Sequence, residues 1–229
     1  MLRMILVCVL LATTSFMQAS LVHAQTAPSA GEIAAYEGLH RAAQSGHVDD
    51  IRRLAGAGAA LDERDAHGRT PAHVAAFAAR GEALRALAKA GADMNALDSQ
   101  AYDVVTIAAV ADDPDLMSLA IQLGNDPRLT TSPYRGTALI AAAHLGHVEV
   151  VRRLIVAGAP LDHVNNLGWT ALMEAVVLGN GGRNHQQVVR LLLDAGADRS
   201  IADRDGVSPL AHARARGYSE IVALLEKRR

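Results

Sequence analysis

The stretch TALIAAAHLGHVEVVRRLIVAGAPLD, residues 137–162, decides the fold. Thr137 can cap a first helix through its side-chain oxygen, the alanines at 141–143 keep that helix thin, and Gly146 can end it in a left-handed turn. A second apolar segment then follows, and Gly158 can close it. Its apolar residues share one face at helical spacing: Val148, Val151, Leu154 and Ile155. The stretch therefore predicts two short antiparallel helices, with Leu154 buried between helices.

Much of this stretch recurs along the chain. TPAHVAAFAARGEALRALAKAGADMN (70–95) precedes it, and SPLAHARARGYSEIVALLEKRR (208–229) follows it. The opening position returns at intervals of 33, 34, 33 and 38 residues, at Thr70, Asp103, Thr137, Thr170 and Ser208. The closing glycine returns at Gly58, Gly91, Gly124, Gly158 and Gly196. A period near 33 residues indicates stacked units, none of which can bury its apolar face alone. About six units account for residues 32–229, the first of them without its opening turn.

The repeated unit resembles the ankyrin repeat, whose consensus is D-x-x-G-x-T-P-L-H-x-A-A-x-x-G-H. DAHGRTPAHVAA (65–76) matches it closely, and NNLGWTALMEAV (165–176) and DRDGVSPLAHAR (203–214) match in part. SGHVDDIRRLAGAGA (45–59) and LGHVEVVRRLIVAGA (145–159) match its second half. The resemblance covers about 200 of the 229 residues. It implies an all-α ankyrin-repeat solenoid of about six helix-turn-helix units with short β-hairpin connections.

The third unit departs most from this pattern. Asp103 replaces the threonine, and DDPDLM (112–117) replaces the glycine-histidine turn. Its spacing from the neighbouring units and the phrase LGNDP (123–127) still predict a unit at this place.

The first 24 residues have the layout of a secretory signal peptide. Arg3 gives a positive start, an apolar run extends from Met4 to about Phe16, and LVHA ends at Ala24. The run is shorter than the roughly 20 residues that span a bilayer, although an uncleaved anchor is the alternative. We expect cleavage after Ala24, a flexible lead-in at 25–31, and a periplasmic or secreted protein. The bacterial assignment rests on resemblance to signal-bearing ankyrin proteins of bacteria.

Composition narrows the classes of partner. The net charge of −2 does not favour a nucleic-acid surface, and no second apolar run predicts membrane contact after cleavage. The sole cysteine, Cys8, lies inside the leader, so the mature chain lacks thiol chemistry. We expect a monomer that binds another protein.

The histidines raise the alternative of a metal-dependent hydrolase. His144 and His147 are three apart, a spacing seen in metal sites, but they flank a glycine at a helix end and no third ligand is evident. The ankyrin resemblance instead implies structural roles for His40 and His73 in one slot, and for His47 and His147 in another. We therefore expect no catalytic residue, no metal and no cofactor.

The variable positions of the repeat predict a partner-binding surface. In ankyrin-like stacks the exposed side of the first helices and the hairpin tips line one concave face. The first-helix positions are Phe77, Val110, His144, Leu145, Val177 and Leu178. The hairpin positions are His67, Arg69, Tyr102, Tyr134, Arg135 and Trp169. Trp, Tyr and Arg are common among residues that dominate binding, so these positions favour a partner site. The alternative is that Phe77 and Trp169 only cover neighbouring turns.

One segment breaks the period. LGNGGRNHQQ (178–187) lengthens the fifth unit by five residues, at about 180–184. It is either a tolerated insertion, because longer loops cost little free energy, or a contact loop that presents Arg183, Asn184 and His185.

These features predict an exported module that binds and protects, inhibits or assembles another envelope protein. A toxin-neutralising immunity protein is one variant of that class. The layout also resembles a bacterial ankyrin type that supports catalase, which implies oxidative-stress defence as one setting. The residues do not identify the partner.

Overall fold

The computed structural model describes residues 25–227, and thirteen α-helices lie within them. They are α1 (Ala30–Ala35), α2 (Gly38–Ser45), α3 (Val48–Gly56), α4 (Pro71–Phe77), α5 (Gly81–Ala90), α6 (Val104–Val110), α7 (Pro114–Gln122), α8 (Ala138–Leu145), α9 (Val148–Val156), α10 (Ala171–Val177), α11 (Arg183–Ala195), α12 (Pro209–Ala215) and α13 (Ser219–Glu226). From α2 onward they form six antiparallel pairs, which confirms the predicted helical solenoid.

Side-chain caps start the first helix of most pairs. The hydroxyl of Thr137 accepts a hydrogen bond from the Ile140 N–H at 3.3 Å, and Thr170 and Ser208 cap their helices in the same way. In the third pair the Asp103 carboxylate takes the role and accepts from the Thr106 N–H at 2.8 Å. Asp103 replaces threonine without loss of the cap, so the divergent third unit folds like its neighbours.

The six first helices lie side by side as an inner layer, and the second helices form an outer layer. Fully buried alanines, such as Ala75, Ala108 and Ala142, let the inner helices approach closely. Larger side chains fill the space between the layers, and Leu154 is completely buried there, as its spacing predicts. The fully buried large side chains include Ile51, Leu84, Leu87, Met117, Leu139, Leu154, Leu172, Leu192 and Ile221.

Hairpin-shaped turns connect successive pairs. The first side chain of a turn accepts hydrogen bonds from the backbone two and four residues later, as Asn165 does from Leu167 and Trp169, each at 3.0 Å. Single backbone hydrogen bonds join one turn to the next, for example from the Asn166 N–H to the Tyr134 carbonyl at 2.9 Å. Within residues 25–227 these turns contain one isolated β-bridge and no regular strand.

The N-terminal end differs from the predicted flexible lead-in at 25–31. Ser29 caps α1 in a capping box with Glu32, so residues 30 and 31 are helical and the predicted boundary at residue 32 falls inside this helix. The predicted signal peptide, residues 1–24, lies outside the described residues. In the described part of the chain, no helix combines the length and apolar character needed to cross a membrane.

Candidate protein-binding surface

An apolar strip runs along the exposed side of the inner helices in the middle of the stack. Leu145, at the end of α8, is 44% exposed, and Leu178, eight residues after the Thr170 cap, is 40% exposed. Leu145 stands at the same distance from the Thr137 cap, so the two leucines are neighbours at equivalent positions. The strip consists of Val110, His144, Leu145, Val177 and Leu178, of which Val110, His144 and Val177 are half-buried.

Phe77 is less exposed than Leu145 and Leu178 of the strip. It lies at the end of α4, is half-buried, and packs against the hydrophobic core. This geometry gives its ring a packing role as well as an exposed edge, in keeping with the alternative that Phe77 covers a neighbouring turn.

A buried carboxylate fixes His144 within the strip. Glu174 on α10 is buried, with one oxygen 3.2 Å from His144 Nδ1 and the other accepting a hydrogen bond from the Asn165 side chain at 2.9 Å. Sequence reasoning missed Glu174. A sequence signal for Glu174 exists, because it lies nine residues after Asn165, the first residue of its hairpin. His212 lies nine residues after Asp203, the equivalent residue of the sixth hairpin, and contacts it at 2.6 Å. The contact with Glu174 thus orients a polar side chain next to the exposed Leu145 in the sequence.

The expectation that Arg69 is exposed is wrong. It is fully buried, and its guanidinium contacts the carboxylates of Asp65, at 2.6 Å, and Glu32, as well as the Thr26 carbonyl at 3.1 Å. Residues 25–36 lie over the second-unit hairpin and cover this position, and Tyr36 donates a hydrogen bond to Asp65 at 2.7 Å. His67, on the same turn, stays exposed but lies 3.2 Å from Glu32.

Hydrogen bonds around Arg69 lower the pKa values of two neighbouring carboxylates. Hydrogen bonds from Ser29, and then the Arg69 guanidinium, lower the pKa of Glu32 to about 2. Burial alone would raise the pKa of Asp65, but hydrogen bonds from Tyr36 and Arg69 outweigh it and lower this pKa to about 2 as well. Both carboxylates are therefore ionised at neutral pH and compensate the buried guanidinium.

Tyr102 is also buried rather than exposed. Only 4% of it is accessible, because its side chain joins the core, and this burial raises the pKa of its hydroxyl. Its backbone carbonyl lies 3.0 Å from His73 Nε2, which donates the hydrogen bond, because Nδ1 accepts from the Thr70 N–H at 3.1 Å. Tyr102 thus belongs to the packing between the second and third units.

The fourth and fifth hairpins remain open. Arg135 is exposed, and Tyr134 and Trp169 are half-buried. Two further apolar residues on these turns, Val164 and Leu167, are exposed and were missed by sequence reasoning. We call the five residues Tyr134, Arg135, Val164, Leu167 and Trp169 the hairpin patch.

The insertion is compact rather than protruding. It lengthens the second helix of the fifth unit, since α11 has 13 residues and α9 has nine. His185 is buried, with Nδ1 3.1 Å from Asn180 Oδ1 and Nε2 2.9 Å from the His144 carbonyl oxygen, so its predicted role as a contact residue is wrong. His185 lies as many residues before Gly196 as His147 lies before Gly158, so the two histidines occupy equivalent positions. His147 likewise contacts a backbone carbonyl, that of Ala109, at 2.9 Å. Arg183 and Asn184 are exposed.

Of the other histidines to which the resemblance gave structural roles, His40 and His73 have matching contacts, whereas His47 is exposed and its Nδ1 lies 3.8 Å from Asp50. His40 Nε2 lies 3.0 Å from the Arg69 carbonyl, repeating the bond that His73 makes one unit later. Burial lowers the pKa of His73, which favours its neutral form. Across residues 25–227, no group of three or more His, Cys, Asp or Glu side chains has an arrangement that could hold a metal ion.

Comparison with known proteins identifies the repeat. The family model described as ankyrin repeats (3 copies) matches residues 15–98 and 105–198. The putative ankyrin repeat protein YahD of Escherichia coli (strain K12) is 33% identical over 185 residues, which is 80% of this chain and 92% of YahD.

Two solved structures extend the comparison. The crystal structure of an ankyrin repeat domain, ABAYE2397, from Acinetobacter baumannii AYE is 46% identical and has a TM-score of 0.77, covering 82% of this chain and 95% of that one. A chain in the complex of the predatory endopeptidase Bd0816 from Bdellovibrio bacteriovorus with immunity protein Bd3460 is 19% identical, with a TM-score of 0.69 over 85% of this chain and 99% of that one. The second likeness concerns the fold alone.

Proposed function

We propose that this chain, which belongs to the ankyrin-repeat family, binds another protein through the apolar strip and the hairpin patch, and does so outside the cytoplasm. Ankyrin repeats mediate protein–protein interaction. The proposal gives this general role a place on the molecule.

The clustering of exposed apolar side chains carries the proposal. Within residues 25–227, six large hydrophobic residues are exposed, and four of them, Leu145, Val164, Leu167 and Leu178, lie on the strip or the patch. Scattered apolar residues are ordinary on a surface, whereas several on adjacent repeats, accompanied by a tryptophan, a tyrosine and an arginine, are typical of interfaces. A partner that covers them would remove this apolar area from water.

The export part of the proposal rests on the leader. We propose cleavage after Ala24 and a mature chain that begins at Gln25, in the periplasm or medium. The intact mass of protein purified from its native source tests this. A mass equal to that of residues 25–229 supports export, and a mass of the full chain contradicts it.

The effect on the partner is protection, inhibition or assembly. Inhibition of an exported enzyme is one variant, and the Bdellovibrio complex joins an endopeptidase to an immunity protein, although its likeness to this chain is in fold only. Support of a peroxide-removing enzyme is another variant, which would place the chain in oxidative-stress defence. The identity of the captured partner distinguishes them.

We propose that the chain is not an enzyme. A metal-dependent hydrolase would need histidines free to bind a metal, whereas His40, His73, His147 and His185 contact backbone carbonyls of neighbouring segments. Metal analysis of protein purified without chelators tests this. A stoichiometric zinc or iron content would support the alternative of a metal-dependent hydrolase.

Affinity capture tests the binding surface. The bait is the mature chain, the prey is the native envelope fraction, and the test variant carries Leu145→Lys with Leu178→Lys. Val156→Lys is the matched control, because Val156 is 84% exposed but lies on the outer helix α9. We expect the double variant to lose the partner that wild type and control retain. Equal capture by all three would contradict the proposed surface.

A further inference from the structure

Arg135 occupies a position where the repeat normally has glycine. The equivalent residues in the second, fifth and sixth hairpins are Gly68, Gly168 and Gly206, with φ of 72°, 88° and 76°. Arg135 has a φ of 54° in the same left-handed region. A residue with a Cβ atom is strained in this conformation, so the fourth hairpin would be more stable with glycine.

The Arg135 side chain has no polar partner among the residues that the structure describes. Its guanidinium is exposed and has no hydrogen bond or ion pair with any residue from 25 to 227. Other hairpin arginines do have such contacts: Arg64 donates to the Gly68 and Leu97 carbonyls, and Arg204 donates to the Asn166 carbonyl. Arg135 therefore strains the backbone without a compensating hydrogen bond or ion pair of its side chain among residues 25–227.

The turn that carries Arg135 is hydrogen-bonded to the turn of the fifth unit, and Arg135 has no ion pair with a carboxylate within residues 25–227. His163 and Asn166 of the fifth unit bond to the Arg135 and Tyr134 carbonyls, so the two turns that form the hairpin patch are tied together. The carboxylates at the start of the flanking hairpins are already engaged. Asp98 accepts from two backbone N–H groups, and Asp203 contacts His212. The exposed cation thus lies beside Tyr134 in the sequence, on a turn that is hydrogen-bonded to the turn carrying Leu167 and Trp169.

We propose that the hairpin patch recognises a carboxylate of the partner protein that stands beside an aliphatic or aromatic side chain. Arg135 binds the carboxylate, for which its planar guanidinium is suited through paired hydrogen bonds. Leu167 and Trp169 receive the apolar neighbour. This inference rests on the proposed function, because it names the chemistry of the protein that this surface binds.

The chain carries its own reporter for this patch. Trp169 is the only tryptophan in the sequence, so tryptophan fluorescence reports on the patch alone. The probe is a short synthetic peptide, blocked at both ends, in which aspartates flank a leucine-phenylalanine pair. Two matched peptides carry asparagine or lysine in place of aspartate. Titrations at low ionic strength preserve the charge interaction.

Two variants give the inference a sharp test. Arg135→Gly installs the residue that other hairpins use and removes the cation. Ala101→Gly relieves the same strain in the third hairpin, where Ala101 has a φ of 62°, and changes no charge. We expect the aspartate peptide to shift Trp169 emission, Arg135→Gly to weaken its binding about tenfold or more, and Ala101→Gly to bind like wild type.

Three results would overturn the inference: equal binding of all three peptides, no fluorescence change up to millimolar aspartate peptide, or unchanged affinity in Arg135→Gly. A thermal melt of each variant confirms that it is folded. Because affinity capture with the Leu145 and Leu178 variant is independent of Arg135, the proposed function can succeed where this inference fails.

Discussion

Arg69 and Trp169 stand at the same place in their units, immediately before the threonine that caps the inner helix, yet they have opposite environments. Arg69 is completely buried under residues 25–36 and bound to two carboxylates. Trp169 is half-buried on an open turn, and its indole has no hydrogen bond to the described part of the chain. The residue before the capping threonine thus stabilises the fold in the second unit, and the equivalent residue in the fifth unit remains available for binding.

The difference teaches that exposure is set by what lies outside the repeat. The turn geometry is alike, because Asp65 and Asn165 each accept backbone hydrogen bonds from the residues two and four positions later. What differs is α1, a short helix that precedes the first pair and brings Glu32 to the guanidinium. The second-unit hairpin is closed by this segment, and the fifth-unit hairpin has no equivalent cover among residues 25–227.

The largest expected effect breaks the closed end. Arg69→Ala removes the buried cation and leaves the partly buried carboxylates of Asp65 and Glu32 without their guanidinium partner, so we expect a loss of about 3–5 kcal/mol in the free energy of unfolding. Urea unfolding measures this loss. Arg135→Ala is the control, because Arg135 is exposed and makes no ion pair within residues 25–227, and it should change stability by less than about 0.5 kcal/mol. A loss in Arg69→Ala as small as that in Arg135→Ala would mean that the ion pairs of Arg69 with Asp65 and Glu32 do not stabilise the fold.

The next effect concerns the open end. Trp169→Ala should weaken binding of the captured partner by about 2 kcal/mol or more, as truncation of a central aromatic residue does. Its stability should fall by about 1 kcal/mol or less. Phe77→Ala should behave in the opposite way to Trp169→Ala. Because Phe77 packs against the core, its truncation should cost more free energy of unfolding than free energy of binding. Calorimetric titration beside a thermal melt measures both quantities. Intact affinity in Trp169→Ala would remove this residue from the partner surface.

Acid should weaken the contacts between residues 25–36 and the second-unit hairpin. The pKa values of Glu32 and Asp65 are lowered to about 2 from ordinary values of 4.5 and 3.8. Groups with lowered pKa values add stability that is complete above the ordinary values and is lost as pH falls toward about 2. Wild type should therefore lose more stability between pH 5 and pH 2.5 than Glu32→Gln, which has one fewer of these carboxylates. Parallel pH profiles would show that Glu32 does not contribute to acid sensitivity.

The smallest effect concerns the strained turns. Ala101→Gly and Arg135→Gly each relieve a left-handed conformation, which outweighs the added entropy of glycine in the unfolded chain, so each should gain about 0.5–1 kcal/mol. Urea unfolding measures both gains. A loss of stability in Arg135→Gly would show that its side chain supports the hairpin, and the case for its role in binding would fail.

The sequence predicted the parts of the molecule that local rules govern. Thr137 and Gly146 bound α8 as their chemistry requires, and Leu154 is buried because its spacing places it on the packed face. Asp103 was recognised as a departure, and its carboxylate still caps a helix. Each of these outcomes depends on a few neighbouring residues and on the period of the repeat.

The failures arise from contacts between distant segments. Arg69 is buried by Glu32, 37 residues away. His185 contacts the His144 carbonyl 41 residues away, because the insertion was accommodated as extra helix and kept the histidine in register. The contact of Glu174 with His144 was not predicted, because the two residues are distant in sequence and only the folded chain brings them together. Exposure and long-range pairing follow from how the units stack, and the repeat pattern does not contain them.

Photo-crosslinking in the native envelope tests the central claim most directly. A benzophenone amino acid replaces Trp169 in one variant and Val156 in another, so that the reactive group sits on the hairpin patch or on the exposed outer helix α9. We expect illumination to join the partner to the variant at position 169 and to leave the variant at position 156 unlinked. Crosslinking of the partner at position 156 alone would place binding on the outer face and contradict the account.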